Sequence, residues 1–216
     1  GPLDPVKPTL EQCQAKYATP DCPYVDNVPP FWARGGHLDT PLGTDFLGRD
    51  VLSRLMYGAR ISLIVALTGT LFAGGIGTVL GVLAGYMGRW WDEIIMRLTD
   101  AWLTLPSLVF AILLSSVRGP GLWNVVLILA LVFWSRYSRA VRGEVLTIRE
   151  RDFVKLAEIN GIGKLTIIRR HLIPNVMNTV MVLFSLQVGV AVIIEASLSF
   201  LGVGVPPPEP SWGLMM

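Results

Sequence analysis

Few residues in this sequence have the types and spacing that catalysis or metal binding requires. The chain has two histidines and two cysteines in 216 residues. It contains no Gly-Lys-Ser/Thr phosphate-binding loop, no Ser-His-Asp arrangement and no metal-ligand set. We therefore predict no catalytic residue and no metal ligand, and that the chain by itself is not an enzyme. Cys13 and Cys22 lie in a short polar segment, which predicts a disulfide in an oxidising compartment.

Basic residues are concentrated in one polar segment between long apolar runs. Residues 135–171 contain nine Lys/Arg and four Asp/Glu, a net charge of +5. Because Lys and Arg cross membranes poorly, a basic loop between apolar spans marks the cytoplasmic side of a membrane protein. The loop 149–175 is therefore predicted to be cytoplasmic.

Two short helices separated by a glycine turn are predicted within this loop. The first runs from Phe153 to Asn160, about two turns, with Asp152 as a candidate N-cap. Gly161 and Gly163 supply the stop and the turn. The second helix covers residues 164–172 and leads into the next span.

The first of these helices carries an apolar surface that we expect a partner protein to cover. Its members are Val154, Leu156, Ala157 and Ile159. The surface is too short to bury within the chain's own bundle, and a two-turn helix is marginal alone.

The composition predicts an all-α membrane protein, a polytopic helical bundle. The chain is 52% hydrophobic and 16% charged, against roughly a quarter charged in soluble domains. A net charge of +2 gives no reason to expect nucleic-acid binding. Four spans are visible as long apolar runs. They are Ile61–Met87, Ala101–Val117, Leu122–Trp134 and Val176–Ile194.

Small residues recur every four positions along the first span. Gly69, Ala73, Gly77, Gly81 and Gly85 leave one helix face with almost no side chain. In lipid, such a stripe lets another helix backbone approach closely. We predict helix packing at this stripe, and a glycine-lined permeation path is the alternative.

Charged residues near the spans are predicted to serve as ion pairs or lipid contacts. Asp92, Arg97 and Asp100 are expected in a short loop, paired at a cytoplasmic helix end. Three arginines spaced three apart predict a cationic stripe against anionic lipid heads. They are Arg136, Arg139 and Arg142.

The last span carries two large polar side chains. Gln187 lies inside it and Glu195 ends the charge-free run. We expect Glu195 to be solvated or hydrogen-bonded, near Ser197 and Ser199. No ionisable residue is expected near the middle of any span, which argues against an ion-coupled secondary transporter.

The N-terminal part divides into two predicted regions before the transmembrane domain of residues 61–216. Residues 1–40 are proline-rich and are expected to form an extracytoplasmic loop. Residues 41–60 are expected to form an interfacial amphipathic segment with a helix over 50–61. Arg49, Arg54 and Arg60 would lie on its water-facing side.

Several stretches resemble the permease subunits of ABC importers, in their dipeptide, oligopeptide and nickel branch. The resemblance covers residues 41–212, and the matching motifs lie before the first span, around the second and after the fourth. They are LGTD at 42–45, LGRD at 47–50, GARIS at 58–62, Asp92-x4-Arg97-x2-Asp100 with Pro106, EASLSFLGVGVP at 195–206 and PSWG at 210–213.

The basic loop is similar to the cytoplasmic coupling loop of that family. Lys155-Leu156-Ala157 stands where the family has Glu-Ala-Ala, Gly161 matches its glycine and Ile173-Pro174 its ending. Lys155 reverses the family's charge. By resemblance, the residues that couple to the ATPase are Phe153, Val154, Lys155, Leu156, Ala157, Glu158, Gly161, Ile162, Gly163 and Pro174.

The resemblance implies a multi-pass subunit of the inner or plasma membrane in an ATP-driven importer of di- or oligopeptides. The implied partners are a homologous permease, two ATPase subunits, an extracytoplasmic solute-binding protein and the lipid bilayer. No cofactor is expected on this chain, and ATP and Mg would bind the ATPases. Residues 1–60 would be extracytoplasmic, and the family's first and last spans are expected to be missing. Nickel or another small solute is the alternative cargo.

Overall fold

The structure is a computed structural model that describes residues 28–33, 36, 38, 40–45, 49–206 and 210–215. The predicted disulfide between Cys13 and Cys22 lies outside these residues and stays a prediction. The described residues form a helical bundle. In chain order its helices are α1 (Val51–Met87), α2 (Arg89–Leu103), α3 (Ser107–Arg118), α4 (Leu122–Arg149), α5 (Asp152–Ile159), α6 (Lys164–Ile167), a π-helical turn (Ile168–Leu172), α7 (Ile173–Phe200) and a 3-10 turn (Gly213–Met215).

Three helical stretches are long and apolar enough to cross a membrane, namely α1, α4 and the continuous helix 164–200. The bent pair α2 and α3 makes a fourth if it counts as one span. An all-α polytopic membrane bundle is therefore confirmed as the fold class.

α1 is one unbroken helix, and this differs from the separate interfacial helix expected over 50–61. The Asp50 carboxylate caps its start by accepting from the backbone N–H groups of Leu52 and Ser53, at 3.3 and 3.0 Å. No proline follows before Met87, so the hydrogen-bond ladder continues to that residue. Arg54 is buried, with its Nε 3.9 Å from a carboxylate oxygen of Asp45, and does not face water.

The region of the second predicted span is broken, because the chain bends by 90° between α2 and α3. Pro106 has no backbone N–H, and the residue before a proline disfavours the helical conformation, so a straight helix cannot continue through Leu105 and Pro106. The predicted span Ala101–Val117 is therefore not one straight helix but part of the bent pair α2 and α3. Asp92 and Asp100 also lie on α2 and not in a loop.

α1 and α4 pack against each other along the glycine stripe of α1. The approach is so close that a β-carbon on these glycines would overlap α4. Such a carbon would lie 2.8 Å from Leu129 Cβ at Gly69, 2.4 Å from the Trp134 carbonyl oxygen at Gly77, 2.7 Å from the Ser138 carbonyl oxygen at Gly81 and 2.8 Å from Val145 Cβ at Gly85.

Two buried clusters lie along the packed pair of helices. The first joins α1 and α4 to the C-terminal half of α7 and contains Phe133, Tyr137 and Leu198. The second lies at the other end, next to the loop 149–175. α7 leaves most of its surface uncovered, since only 17% of the apolar window in residues 164–200 is buried inside the chain.

Candidate functional site

The candidate site is the loop between α4 and α7, which begins with the short helix α5. Arg151 occupies the N-cap position and makes no side-chain capping bond. Asp152, predicted as the N-cap, is instead the first helical residue, where its negative charge favours the positive end of the helix dipole. The Phe153 ring lies 5.8 Å from the ring of His171, which brings the two ends of the loop together.

α5 ends in a Schellman motif that depends on Gly161. The backbone N–H of Ile162 donates to the carbonyl of Ala157 at 3.1 Å, and that of Gly161 donates to Glu158 at 3.0 Å. Gly161 has a φ of +73°, a left-handed conformation that a side chain disfavours. The backbone therefore reverses direction at Gly161, where the sequence predicted a turn.

The apolar surface of α5 is divided between two directions. Val154 and Ala157 are buried inside the chain, with Ala157 only 5% exposed. Leu156 and Ile159 point outward and are 57% and 80% exposed. The expectation that all four form one surface for a partner is wrong. Val154 and Ala157 are three residues apart and share one helix face, and that face packs into the core of the chain.

That core holds α5 firmly against the rest of the bundle. Val154 and Ala157 belong to the second buried cluster, which includes Val145 and Ile148 of α4. The Tyr86 hydroxyl, near the end of α1, lies 3.1 Å from Glu158 Oε1 and donates a hydrogen bond to it. The loop helix is thus fixed to both α1 and α4.

The exposed side of the loop combines apolar and basic groups. Leu165, on α6, is exposed, as are Leu156 and Ile159 earlier in the loop. Lys155 Nζ lies 2.9 Å from a carboxylate oxygen of Glu150. The hydrogen bond and the positive charge of that ammonium group lower the pKa of Glu150. Lys155, the residue that departs from the family's Glu, therefore has an acidic partner within the loop.

The return from the loop to α7 differs from the prediction of a separate helix over 164–172. Residues 164–200 are continuous, with the π-helical turn between α6 and α7. The backbone N–H of Ile173 bonds the carbonyl of Ile168, five residues back. Pro174 follows at once. Since proline lacks a donor and crowds the carbonyl four residues earlier, the wider turn accommodates it without ending the helix.

Two of the arginines expected to face lipid heads instead form ion pairs with α2. Arg142 donates from Nε and Nη2 to the two carboxylate oxygens of Asp92, each at 2.6 Å. Arg139 pairs with Asp100. The sequence shows the spacing of the arginines, but it does not show that α2 lies against α4 and supplies acidic partners.

The third arginine, Arg136, is the functional candidate that sequence reasoning missed. It occupies the middle of α4, and its Nη1 lies 3.3 Å from Oε1 of Gln187 in the middle of α7. Arg136 lies two residues beyond Trp134, where the third predicted span ends, and it contacts Gln187 inside the fourth. α4 itself continues through Arg136, Arg139 and Arg142 to Arg149.

Glu195 is fully buried near the end of α7. The Ser199 hydroxyl donates to its Oε1 at 2.7 Å, and the Val205 N–H reaches the same hydroxyl at 3.3 Å. Of the two expected states, the hydrogen-bonded one is observed and the solvated one is not. This bond helps fold residues 201–206 back over the helix end.

One protein family and several known proteins match this chain in sequence. The family described as "Binding-protein-dependent transport system inner membrane component" matches residues 77–216. A glutathione transport system permease protein of Pectobacterium atrosepticum is 41% identical over 81% of this chain and 58% of its own length. A di/tripeptide transport system permease protein of Pseudomonas aeruginosa is 42% identical over 88% of this chain and 62% of its own length. A peptide permease protein of Brucella suis is 44% identical over 81% of this chain and 58% of its own length.

This chain therefore spans about three fifths of the length of the relatives that it matches. The family match covers more than half of the chain and includes the glycine stripe from Gly77 onward, the bent α2–α3 pair and the whole loop. The apolar helices fit a multi-pass protein of the inner membrane. The chain belongs to the family of binding-protein-dependent transport system inner membrane components.

Proposed function

We propose that this chain is a permease subunit of an ATP-driven importer and forms, with a homologous permease, the membrane path for peptides. A solute-binding protein delivers the peptide, and two separate ATPase subunits bind ATP and Mg and supply the energy. The family's description supports dependence on a binding protein. The names of relatives that carry peptides, di/tripeptides and glutathione favour peptides over nickel as cargo.

The observation that carries this proposal is the two-sided helix α5. Its inner face is packed into the bundle through Val154 and Ala157, while Leu156 and Ile159 project outward and no described residue covers them. A soluble ATPase subunit that covers the exposed pair on the cytoplasmic side would move α5. Because α5 is packed on α4 and bonded to Tyr86 of α1, that motion would reach the spans.

The uncovered surface of α7 supports a homologous partner. α7 is long enough to cross a bilayer, yet it is the least buried of the three long apolar helices. A second permease against this helix would enclose a path between the two subunits. With the basic loop inside the cell, residues 1–60 lie on the extracytoplasmic side, where a binding protein would dock.

The test compares two neighbouring residues of α5 that point in opposite directions. Ile159→Asp places a charge on the exposed side, so the chain should keep its thermal stability but lose copurification of the ATPase. Ala157→Asp places a charge in the core, so the chain itself should be destabilised, by roughly 2–5 kcal/mol. Ile159→Met is the matched control and should couple as wild type does. Measurements are ATPase copurification, melting temperature, and ATP hydrolysis with peptide uptake in proteoliposomes.

Two results would contradict the proposal. Coupled, wild-type transport by Ile159→Asp would show that the exposed face is not the ATPase contact. Peptide uptake that needs no ATPase subunit would show that the chain is not an importer permease of this kind.

A further inference from the structure

Arg136 is an exposed cation on α4 that has no acidic partner among the described residues. A helix that enters the hydrocarbon at Leu122 carries Arg136 about 21 Å down, within a core about 30 Å thick. Asp92 and Asp100, the nearest acids on α2, are already paired with Arg142 and Arg139. A charge at this depth requires a polar counterpart, and such residues line substrate paths.

The guanidinium group is held in place but its charge is not neutralised. Gln187 Oε1 accepts from one nitrogen, and the Phe133 ring lies 5.6 Å below the central carbon, at the distance of a cation–π contact. Neither neighbour carries a charge. Gln187 is itself buried, and its Nε2 has no hydrogen-bond partner in the described part of the chain. Exchanging the oxygen and nitrogen of the Gln187 amide would place its NH2 donor against the donor of Arg136. The amide therefore points Oε1 toward Arg136, which leaves its Nε2 donor without a partner.

Arg136 also lines a cavity of about 250 Å³ at the break between α2 and α3. The cavity lies where the chain bends at Pro106, between the end of α2, the start of α3 and α4. Trp102 forms a wall that is fixed by an indole N–H bond to the Leu131 carbonyl at 2.6 Å, and it meets Phe110 edge to face at 4.8 Å. The cavity therefore has rigid aromatic sides and one cationic edge.

We propose that Arg136 and this cavity form a transient binding site for the C-terminal carboxylate of a peptide in transit. Every linear peptide with an unmodified C-terminus carries such a group, and a planar guanidinium binds a carboxylate through two parallel hydrogen bonds. The cavity volume suits a terminal residue and not a whole peptide. The aromatic walls contact the terminal side chain without reading its identity. This inference rests on the proposed function as a peptide importer.

The test uses the complete importer with its binding protein in proteoliposomes. The probes are trialanine with a free carboxylate and trialanine amide, each at a concentration that saturates the binding protein. Arg136→Gln should lower the initial uptake of trialanine by roughly tenfold to a hundredfold, the value of a charge-assisted hydrogen-bonded pair. Uptake of the amide should stay at the wild-type rate. Arg136→Lys should recover part of the loss, and Arg97→Gln on α2 is the control with the same charge change at an exposed position.

Each other outcome overturns the inference in a distinguishable way. Equal loss for both probes would assign Arg136 a structural role between α4 and α7. Unchanged uptake of both probes would show that the cation does not contact the solute. Failure of the wild-type importer to move either peptide would overturn the proposed function together with this site.

Discussion

A β-carbon added at Gly77 tests whether the glycine stripe holds α1 against α4. The β-carbon of Gly77→Ala would lie 2.4 Å from the carbonyl oxygen of Trp134, where a carbon–oxygen contact needs about 3.3 Å. The obstacle is backbone, so no rotamer change can relieve it. The two helices must separate locally by about 1 Å, and the contacts of Tyr137 and Ser138 beside them are lost.

Gly75 on the same helix supplies the matched control. A β-carbon there meets nothing within 4 Å, so Gly75→Ala only improves helix propensity, by about 0.5–1 kcal/mol. Overpacking at Gly77 costs about 1–3 kcal/mol. Because both substitutions gain the same helix propensity, the two alanine variants should differ in unfolding free energy by the overpacking cost, about 1–3 kcal/mol. At about 2–4 °C per kcal/mol for a chain of this size, the melting temperatures should differ by at least about 2 °C.

The assay is thermal unfolding of the assembled importer in detergent, followed by tryptophan fluorescence, with the yield of complex measured beside it. Gly77→Ala should melt below wild type, and Gly75→Ala at or above it. If Gly77→Ala is as stable as Gly75→Ala, the close approach of α1 and α4 is not a tight contact, and the packing role of the stripe is refuted.

Two further predictions concern the loop and α2. Gly161→Val should strain the left-handed turn by about 1–2 kcal/mol and uncouple ATP hydrolysis from uptake, whereas Gly163→Ala, at a φ of −60°, should transport as wild type does. Asp92→Asn and Arg142→Gln should show a coupling energy of about 1 kcal/mol, because the two hydrogen bonds between these residues are partly buried. A double-mutant cycle of melting temperatures measures this energy, and purely additive effects would contradict the prediction.

The sequence predicted well those features that depend on local pattern. Long apolar runs gave the polytopic helical class, and a four-residue spacing gave the small face of α1 that α4 meets. Gly161 marked a turn because few other residues adopt its backbone conformation. Each of these depends on residues close together in the chain, which is why periodicity and residue type were sufficient.

Features that depend on distant helices could not be predicted in the same way. Arg139 and Arg142 have the spacing of a lipid-facing stripe, and only the fold of α2 across α4 supplies Asp100 and Asp92 as partners. Pro106 was placed inside a predicted span, and neither the 90° bend nor the cavity beside it was predicted. Arg136 looked like part of a polar helix end, because the neighbour that places it at the middle of the bundle is 51 residues away.

The division of α5 changes how force from an ATPase would reach the membrane. A loop helix held only by its partner could tilt without moving the spans, since a two-turn helix is marginal alone. Here Ala157 and Val154 lie in the same buried cluster as Val145 of α4, and Glu158 is bonded to the end of α1. α1 and α4 are themselves joined by backbone-close packing that tolerates little sliding. A displacement of α5 is therefore expected to move these two helices as one body, while the loosely packed α7 and its Gln187–Arg136 contact shift relative to them.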